Sequence, residues 1–294
     1  MKLIMMKGLP ACGKSTIAKG MMKANGNTVR LDLDHVRKML NFGEMTENKE
    51  KRADEAMKLL VTHFLSKDTD VIIDGVNMDP NKEKIWKSFA KKKGVHFEVN
   101  DMTDIPVGDC IERDKMRPEP IGGIFIKNMA IRYGLKKFKK NSVVICDIDG
   151  TISDTSNRTH YIEKPTKAPK DWKKDWKSFF GEMIHDPVRE DIKKLLLQFH
   201  KEGKTVIFMT ARPEMYRDIT VRWLQSHFLS FFDTIIMRRI QDQRSDEVVK
   251  KELLNKYFPD KEVIHVAIDD RPRVIRMLNK EGIHTLSCGT GKEF

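Results

Sequence analysis

Residues 3–15 read Leu-Ile-Met-Met-Lys-Gly-Leu-Pro-Ala-Cys-Gly-Lys-Ser, and they join an apolar run to a glycine-rich loop. From Gly8 to Ser15 this loop fits the pattern Gly-x-x-x-x-Gly-Lys-Ser/Thr. Glycines in such a loop let backbone N–H groups close around phosphate oxygens, and the helix start that follows adds positive potential. We therefore expect a strand, a phosphate-binding loop and a helix in succession, as in α/β domains.

The polar residues of this loop suit a nucleoside triphosphate such as ATP. Lys14 would reach the β and γ phosphates, and Ser15 would hold Mg²⁺. A glycine turn with an exposed lysine is the alternative, which the apolar strand and the helical stretch on either side argue against. The residues expected to bind the nucleotide are Gly8, Gly13, Lys14, Ser15 and Thr16.

Short apolar strands alternate with longer helical stretches through the first half of the chain, which predicts a parallel sheet covered by helices. The predicted strands are Leu3–Met6, Val29–Asp32, Val71–Asp74 and His96–Val99. Helices are predicted after Gly13, over Asn48–Ser66, and from Asp79-Pro80 to about Gly94. The last of these begins with a favourable N-cap aspartate followed by a proline at the first helical position.

Asp34 and Arg37 follow the second predicted strand, at the edge where ligands of parallel sheets collect. A carboxylate at Asp34 can accept a hydroxyl proton, and the guanidinium of Arg37 can hold a phosphate by two hydrogen bonds. The alternative is an aspartate that caps a helix beside a solvated arginine. The neighbouring phosphate-binding loop favours a site for the acceptor of the phosphoryl group.

Arg113 and Arg117 are four residues apart, which predicts that both lie on one helical face before the helix breaker Pro118. Arginines near a hinge can close over a nucleotide and neutralise charge on the transferred phosphoryl group. We expect these two residues to belong to such a lid. A solvated basic face is the alternative.

Residues 143–151 read Val-Val-Ile-Cys-Asp-Ile-Asp-Gly-Thr, so Asp147 and Asp149 are one residue apart at the end of an apolar strand. Adjacent carboxylates repel each other unless a cation lies between them. Further strands are predicted at Thr205–Thr210, Thr234–Met237 and Val263–Asp269, after the first at Val143–Asp147. The second half is therefore expected to form another α/β sheet.

This second sheet predicts a phosphoryl-transfer site with an aspartate nucleophile. Asp147 would attack phosphorus and form an aspartyl-phosphate, while Asp149 would protonate the leaving oxygen and later activate water. Thr210 and Lys250 would hold the phosphoryl oxygens. The expected Mg²⁺ ligands are Asp147, the backbone of Asp149, Asp269 and Asp270.

The chain has 294 residues and a formal net charge of +12. This length favours two domains of roughly 140 to 150 residues. We place the boundary in the basic segment Tyr133–Ser142, which gives domains of residues 1–138 and 142–294. The excess of positive charge favours a polyanionic partner.

No apolar run approaches the roughly 20 residues of a membrane span, and the first residues leave no room for a signal peptide. We therefore expect a cytoplasmic protein without a membrane partner. Cys12, Cys110, Cys146 and Cys288 have no metal-like spacing, so we expect reduced thiols.

The segment Lys164–Lys177 interleaves lysines with Trp172 and Trp176 and has no strand pattern. We expect a small inserted cap on the second domain, whose tryptophans stack on terminal bases. Packing of both tryptophans into the core is the alternative.

Together these motifs resemble those of bacteriophage-type polynucleotide kinase/phosphatases, which join a P-loop 5′-kinase to a haloacid-dehalogenase-type 3′-phosphatase. The resemblance covers nearly the whole chain and keeps the order of the motifs. It rests on Gly8–Ser15, Asp34 and Arg37, Arg113 and Arg117, Asp147–Thr151, Arg158, Thr210–Arg212, Asp246–Lys250 and Ile268–Arg271.

The resemblance implies a bifunctional enzyme that heals nucleic-acid ends. It would transfer the γ-phosphate of ATP to 5′-hydroxyl ends of RNA or DNA and remove 3′-phosphates, with ATP and Mg²⁺ as cofactors. The implied architecture is a P-loop kinase-like sheet followed by a Rossmannoid haloacid-dehalogenase-like sheet. A phage-encoded protein acting in the host cytoplasm is also implied.

The resemblance further implies roles for individual residues. Asp34 would be the base for the 5′-hydroxyl, Arg37 would bind the acceptor phosphate, and Arg117 would assist the transferred phosphate. Asp147 would be the phosphatase nucleophile. The residues implied to contact the phosphatase substrate are Arg158, Arg212 and Asp246.

Two other interpretations are left open by the sequence. Both folds serve many substrates, so a small-molecule or nucleoside kinase fused to a small-molecule phosphatase is one alternative. A nucleotide-dependent nucleic-acid-binding protein without catalysis is another, which the intact Asp34, Asp147 and Asp149 argue against. RNA and DNA are both open as partners, and so is the association of identical copies.

Overall fold

The structure is a computed structural model that describes residues 1–41, 47–167, 169–228 and 231–289. The chain divides into two compact units, Met1–Lys136 and Lys137–Phe294. Each unit contains one parallel sheet. The two predicted α/β sheets are thereby confirmed.

None of the helices within the described ranges combines the length and the apolar character that crossing a membrane requires.

The sheet of the first unit has four strands in the order β2-β3-β1-β4. They are β1 (Lys2–Lys7), β2 (Thr28–Asp32), β3 (Asp70–Asp74) and β4 (His96–Asp101). The helices are α1 (Lys14–Ala24), α2 (Leu33–Asn41), α3 (Glu47–Leu65), α4 (Pro80–Lys93), α5 (Val107–Lys115) and α6 (Gly123–Arg132). The four predicted strands are all present, and α1, α3 and α4 correspond to the three predicted helices.

The capping prediction for α4 is confirmed at both ends. The Asp79 carboxylate accepts a hydrogen bond from the backbone N–H of Asn81, and Pro80 is the first helical residue. Gly94 ends the helix at φ 66°, a left-handed conformation that glycine adopts without a steric cost.

Helices cover both faces of the first sheet. Successive residues of a strand point to opposite faces, so one strand can contribute to two core clusters. Leu3 and Met5 of β1 belong to a core cluster that includes Met57 of α3 and Trp86 of α4. The alternate residues of β1 share a second cluster with Ala18 of α1. This two-sided burial explains why β1 is a continuous apolar run rather than an alternating one.

The sheet of the second unit has five strands in the order β7-β6-β5-β8-β9. They are β5 (Val143–Cys146), β6 (Thr205–Pro213), β7 (Phe232–Arg238), β8 (Ile264–Asp269) and β9 (Thr285–Ser287). The helices are α7 (Trp176–Gly181), α8 (Glu190–Lys201), α9 (Arg217–Phe228), α10 (Asp246–Tyr257) and α11 (Pro272–Lys280). The sequence predicted four of these strands. It did not predict β9, because three residues are too few to show an apolar or alternating pattern.

The expected insert lies between β5 and β6. Its described part consists of turns and extended chain until α7 begins at Trp176, and Ala168 lies outside the described residues. Asp175 caps α7 by accepting a hydrogen bond from the backbone N–H of Ser178 at 3.0 Å. Asp175 therefore fixes the start of this short helix.

Candidate active sites

The phosphate-binding loop between β1 and α1 depends on two glycines with left-handed backbone. Gly8 has φ 149°, and a Cβ there would lie 2.8 Å from Cys12 Sγ. Gly13, at φ 109°, immediately precedes the first turn of α1. A side chain at either position would strain the loop. Glycine at both positions allows the loop backbone to approach a phosphate closely.

Lys14 is the first residue of α1 and is buried, with 7% of its surface exposed. Its ammonium donates hydrogen bonds to the carbonyl oxygens of Gly8 at 3.0 Å and Leu9 at 2.6 Å. Ser15 and Thr16 are exposed in the same helical turn. A cation, two hydroxyl groups and a helix N-terminus therefore converge where the pattern predicts a nucleotide.

Asp34 lies in the first turn of α2 but does not cap it. Asp32 provides the cap, because its Oδ1 accepts the backbone N–H groups of Asp34 at 2.9 Å and His35 at 3.3 Å. The Asp34 side chain is 71% exposed. Its carboxylate is thus open to a substrate, contrary to the capping alternative.

Arg37 is held on both sides by carboxylates. It donates to Asp34 Oδ1 at 2.5 Å and to both carboxylate oxygens of Glu50, at 2.9 and 2.5 Å. Burial alone would lower the pKa of Arg37, but Glu50 and Asp34 raise it above its ordinary value. Glu50 belongs to α3, thirteen residues away in a different helix, so no local motif could have identified it.

Arg113 and Arg117 do not share a helical face, so that prediction is wrong. The helix α5 ends at Lys115, and Arg117 lies beyond it. The following Pro118 disfavours helical backbone in the residue before it, which explains the early end. Arg113 donates to the Cys12 carbonyl of the phosphate-binding loop at 3.1 Å, whereas Arg117 pairs with Asp114 at 3.3 Å.

Three carboxylates meet at the carboxyl edge of the second sheet. Asp147 follows β5, Asp269 is the last residue of the neighbouring β8, and Asp270 follows it. One oxygen from each lies within 4.8 Å of the others, and all three residues are buried. Lys250 of α10 lies 2.7 Å from both Asp147 Oδ1 and Asp269 Oδ2. These four predicted residues are therefore brought together.

The charges in this cluster suit a divalent cation. Burial raises the pKa of Asp147 well above its ordinary range, and Asp269 and Asp270 add to the rise while Lys250 opposes it. Asp147 Oδ1 is buried, and its contact with the Lys250 ammonium at 2.7 Å is an ion pair. Three carboxylates against one ammonium leave an excess of negative charge, and hard oxygen ligands fit Mg²⁺.

Thr151 and Gly150 shape the cluster. The Thr151 hydroxyl is 3.3 Å from Asp270 Oδ1 and 3.5 Å from Asp147 Oδ2. Gly150 has φ 82°, and a Cβ there would lie 2.4 Å from Asp270 Oδ2. Sequence reasoning did not assign Thr151 a role, although its place in the Asp-x-Asp-Gly-Thr motif was a usable signal.

Asp149 is ion-paired with two arginines rather than with the cluster. Its carboxylate accepts from Arg158 Nη2 at 2.5 Å and from Arg212 Nε at 3.3 Å. Burial alone would raise the pKa of this carboxyl, but Arg212 and Arg158 bring it well below its ordinary range. The two arginines therefore favour the carboxylate form of Asp149, whereas its expected first role is that of a proton donor.

Arg158 and Arg212 are each 1% exposed and are already committed to protein partners. Arg158 also donates to both oxygens of Asp186, through Nε at 2.8 and 2.9 Å. Asp186 is a buried residue that the sequence did not single out. These contacts support Asp149, and direct contact of the two arginines with a substrate stays a prediction.

Thr210 and Asp246 complete the set of predicted residues. The Thr210 hydroxyl accepts the backbone N–H of Arg212 at 3.1 Å and is buried. Asp246 pairs with Arg238 and Arg271 at the start of α10. Lys250 lies one turn later in the same helix and contacts Asp147 and Asp269.

Comparisons with known proteins agree with this division of the chain. The family model of the polynucleotide kinase PNKP phosphatase domain matches residues 141–293, and the model of an AAA domain matches residues 3–137. A protein of Autographa californica nuclear polyhedrosis virus, named for a bifunctional polynucleotide kinase/RNA ligase, is 23% identical over 94% of the chain. The chain spans 40% of the length of that relative.

The solved structures that match the chain include a chain of the Pnkp1/Rnl/Hen1 RNA repair complex. It is 23% identical, with 99% of this chain and 97% of that chain covered and a TM-score of 0.42. A haloacid dehalogenase-like hydrolase of Streptococcus pneumoniae is 17% identical, with 52% of this chain and 87% of that chain covered and a TM-score of 0.39.

Proposed function

The chain belongs to the family of the polynucleotide kinase PNKP phosphatase domain, and from this premise we propose that it repairs nucleic-acid ends. Residues 1–138 would transfer the γ-phosphate of ATP to a 5′-hydroxyl group. Residues 142–294 would remove a 3′-phosphate. The observation that carries the proposal is the buried Asp147, Asp269, Asp270 and Lys250 cluster, in a unit separate from a complete phosphate-binding loop.

In the kinase step, the exposed Asp34 carboxylate takes the proton from the 5′-hydroxyl group, and the oxygen then forms a bond to the γ phosphorus as ADP leaves. Arg37 holds a phosphate of the acceptor, with its guanidinium oriented by Glu50. Lys14 and Arg113 neutralise the charge of the ATP phosphates. Arg113 is the better supported of the two lid arginines, because it contacts the loop itself.

In the phosphatase step, an oxygen of Asp147 attacks phosphorus, and the bond to the 3′ oxygen breaks. Water then hydrolyses the aspartyl-phosphate and releases phosphate. Lys250 neutralises the phosphoryl oxygens, and Thr210 orients them. Asp149 carries the proton between the leaving oxygen and water, which requires its ion pairs with Arg158 and Arg212 to weaken when it is protonated.

The residues that would hold Mg²⁺ in the phosphatase are Asp147, Asp269, Asp270 and the backbone carbonyl of Asp149, and Ser15 would hold the ion of ATP. When bound, Mg²⁺ supplies positive charge that offsets repulsion between the phosphate and the nucleophile.

We further propose RNA ends as the main substrate and a viral protein acting in a host cytoplasm. The viral relative that carries the name of a polynucleotide kinase/RNA ligase supports both points. The net charge of +12 supports a polyanionic partner in general.

A paired assay tests the proposal. Labelled phosphate from ATP should appear on 5′-hydroxyl RNA or DNA oligonucleotides, and unlabelled phosphate should leave oligonucleotides that end in a 3′-phosphate. A nucleoside without a 3′-phosphate serves as the control acceptor. Phosphorylation of that nucleoside as efficient as that of an oligonucleotide would favour the small-molecule kinase, and the absence of both activities would refute the proposal.

A further inference from the structure

An aromatic group of three side chains lies on the phosphatase unit, and we call Trp176, Phe180 and Tyr216 the ring cluster. The rings of Trp176 and Phe180 are stacked, with centroids 5.6 Å apart and planes inclined by 20°. The Phe180 and Tyr216 centroids are 5.0 Å apart. Trp176 is 41% exposed. A stacked set of rings that is not closed off from solvent can extend its stack to a planar ligand.

Arg212 connects the ring cluster to the reacting groups. Its guanidinium carbon lies 5.2 Å from the centroid of Phe180, and the same guanidinium pairs with Asp149. Asp149 is two residues from the nucleophile Asp147. Two contacts, Phe180 with Arg212 and Arg212 with Asp149, therefore connect the ring cluster to the carboxylate that handles the proton.

The surroundings of the ring cluster also suit a polyanion. The Lys174 ammonium is exposed and lies 5.5 Å from the centroid of the Trp176 ring. It can serve as counter-ion for a phosphodiester next to a stacked group. A planar group attached to a phosphate chain fits this combination of rings and charge.

We propose that the ring cluster stacks on the nucleobase of the nucleotide that carries the 3′-phosphate. The inference rests on the proposed function and deepens it by assigning a subsite for the terminal base. Every base has a π face, so stacking tolerates all four bases and gives only modest sequence preference. The proposal includes Phe180 and Tyr216, whose rings are linked to that of Trp176, and it does not include Trp172, which makes no ring contact with them within the described ranges.

The test compares two oligonucleotides that are identical except at the 3′-phosphorylated residue, which is either a normal nucleotide or abasic. The measured quantity is the ratio of kcat/KM values, normal over abasic. Stacking predicts a ratio of about 5 to 150 for the wild-type protein. Trp176→Ala should bring the ratio to about one, and Trp176→Phe should retain part of it because a ring is kept. Trp172→Ala is the matched control from the same segment and should keep the wild-type ratio.

Two results would overturn the stacking proposal while leaving the phosphatase intact. One is a wild-type ratio of about one with measurable 3′-dephosphorylation, and this test needs no variant. The other is an unchanged ratio in a folded Trp176→Ala protein. If the wild-type protein dephosphorylated neither oligonucleotide, the proposed function itself would be refuted, and the two failures are therefore distinguishable.

Discussion

Replacing Gly150 with alanine should disable the phosphatase by displacing one carboxylate. The new Cβ would lie 2.4 Å from Asp270 Oδ2 and 3.0 Å from its Cγ, whereas ordinary contacts begin at 3.4 Å. The Asp270 carboxylate must therefore move by about 1 Å from the position that it has in the cluster. A displacement of about 1 Å at a reacting centre can cost about 10²-fold in rate. We expect a loss of at least that size in kcat/KM for 3′-dephosphorylation, with 5′-phosphorylation unchanged in the same sample.

The same substitution also has a backbone cost that must be separated from the displacement. Gly150 has φ 82°, where a residue with a Cβ loses about 1 to 2 kcal/mol. For a unit of this size, that lowers Tm by about 2 to 8 °C. This decrease in stability should leave the protein folded at the assay temperature, and a thermal denaturation curve would check this.

Gly203 and Gly282 provide matched controls, since they have φ values of 79° and 78° and a Cβ at either position would meet no heavy atom of the described residues within 4 Å. Gly203→Ala and Gly282→Ala should show a similar decrease in Tm and normal phosphatase activity. Activity of Gly150→Ala within about threefold of wild type would refute the argument from Asp270. An equal loss in Gly282→Ala would show that stability, not the position of the carboxylate, is responsible.

Three further predictions concern single residues. Asp34→Asn should lower 5′-phosphorylation about 10²-fold or more and leave 3′-dephosphorylation unchanged. Asp147→Asn should lower 3′-dephosphorylation and leave 5′-phosphorylation unchanged. Loss of both activities in either folded variant would contradict two separate sites. Glu50→Gln should raise KM for the 5′-hydroxyl acceptor, because the carboxylate orients Arg37, and KM for ATP in the same assay should stay constant. Mg²⁺ at ten times its Kd should stabilise the phosphatase unit by about 1.4 kcal/mol, seen as a rise in Tm. Asp270→Asn should abolish that rise, and a persistent rise would place the ion elsewhere.

The sequence could indicate both candidate sites because the central residues of each motif are consecutive. The loop Gly8–Ser15 and the turn Asp147–Thr151 each combine an apolar strand with residues of defined chemistry. Glu50 and Asp186 could not be found this way. Each pairs with an arginine on another element, and such a pairing is set by how the elements pack and not by any local pattern.

The same distinction applies to the fold. Strands β1 and β5 can be recognised in the sequence as apolar runs, because consecutive residues on both of their faces are buried. The three residues of β9 are too few to show a period. The end of α5 before Arg117 was misjudged, since the spacing of two arginines is compatible with a helix that the following proline does not allow.

The contacts of Lys14 have a consequence for nucleotide binding. Its ammonium donates hydrogen bonds to the carbonyl oxygens of Gly8 and Leu9. These carbonyl oxygens therefore compete with a nucleotide phosphate for the Lys14 ammonium. A nucleotide phosphate must outcompete two carbonyls before it gains the lysine. The β phosphate, which both ATP and ADP carry, would meet the same competition from these carbonyls. We therefore expect the loop to moderate its own affinity for the nucleotide.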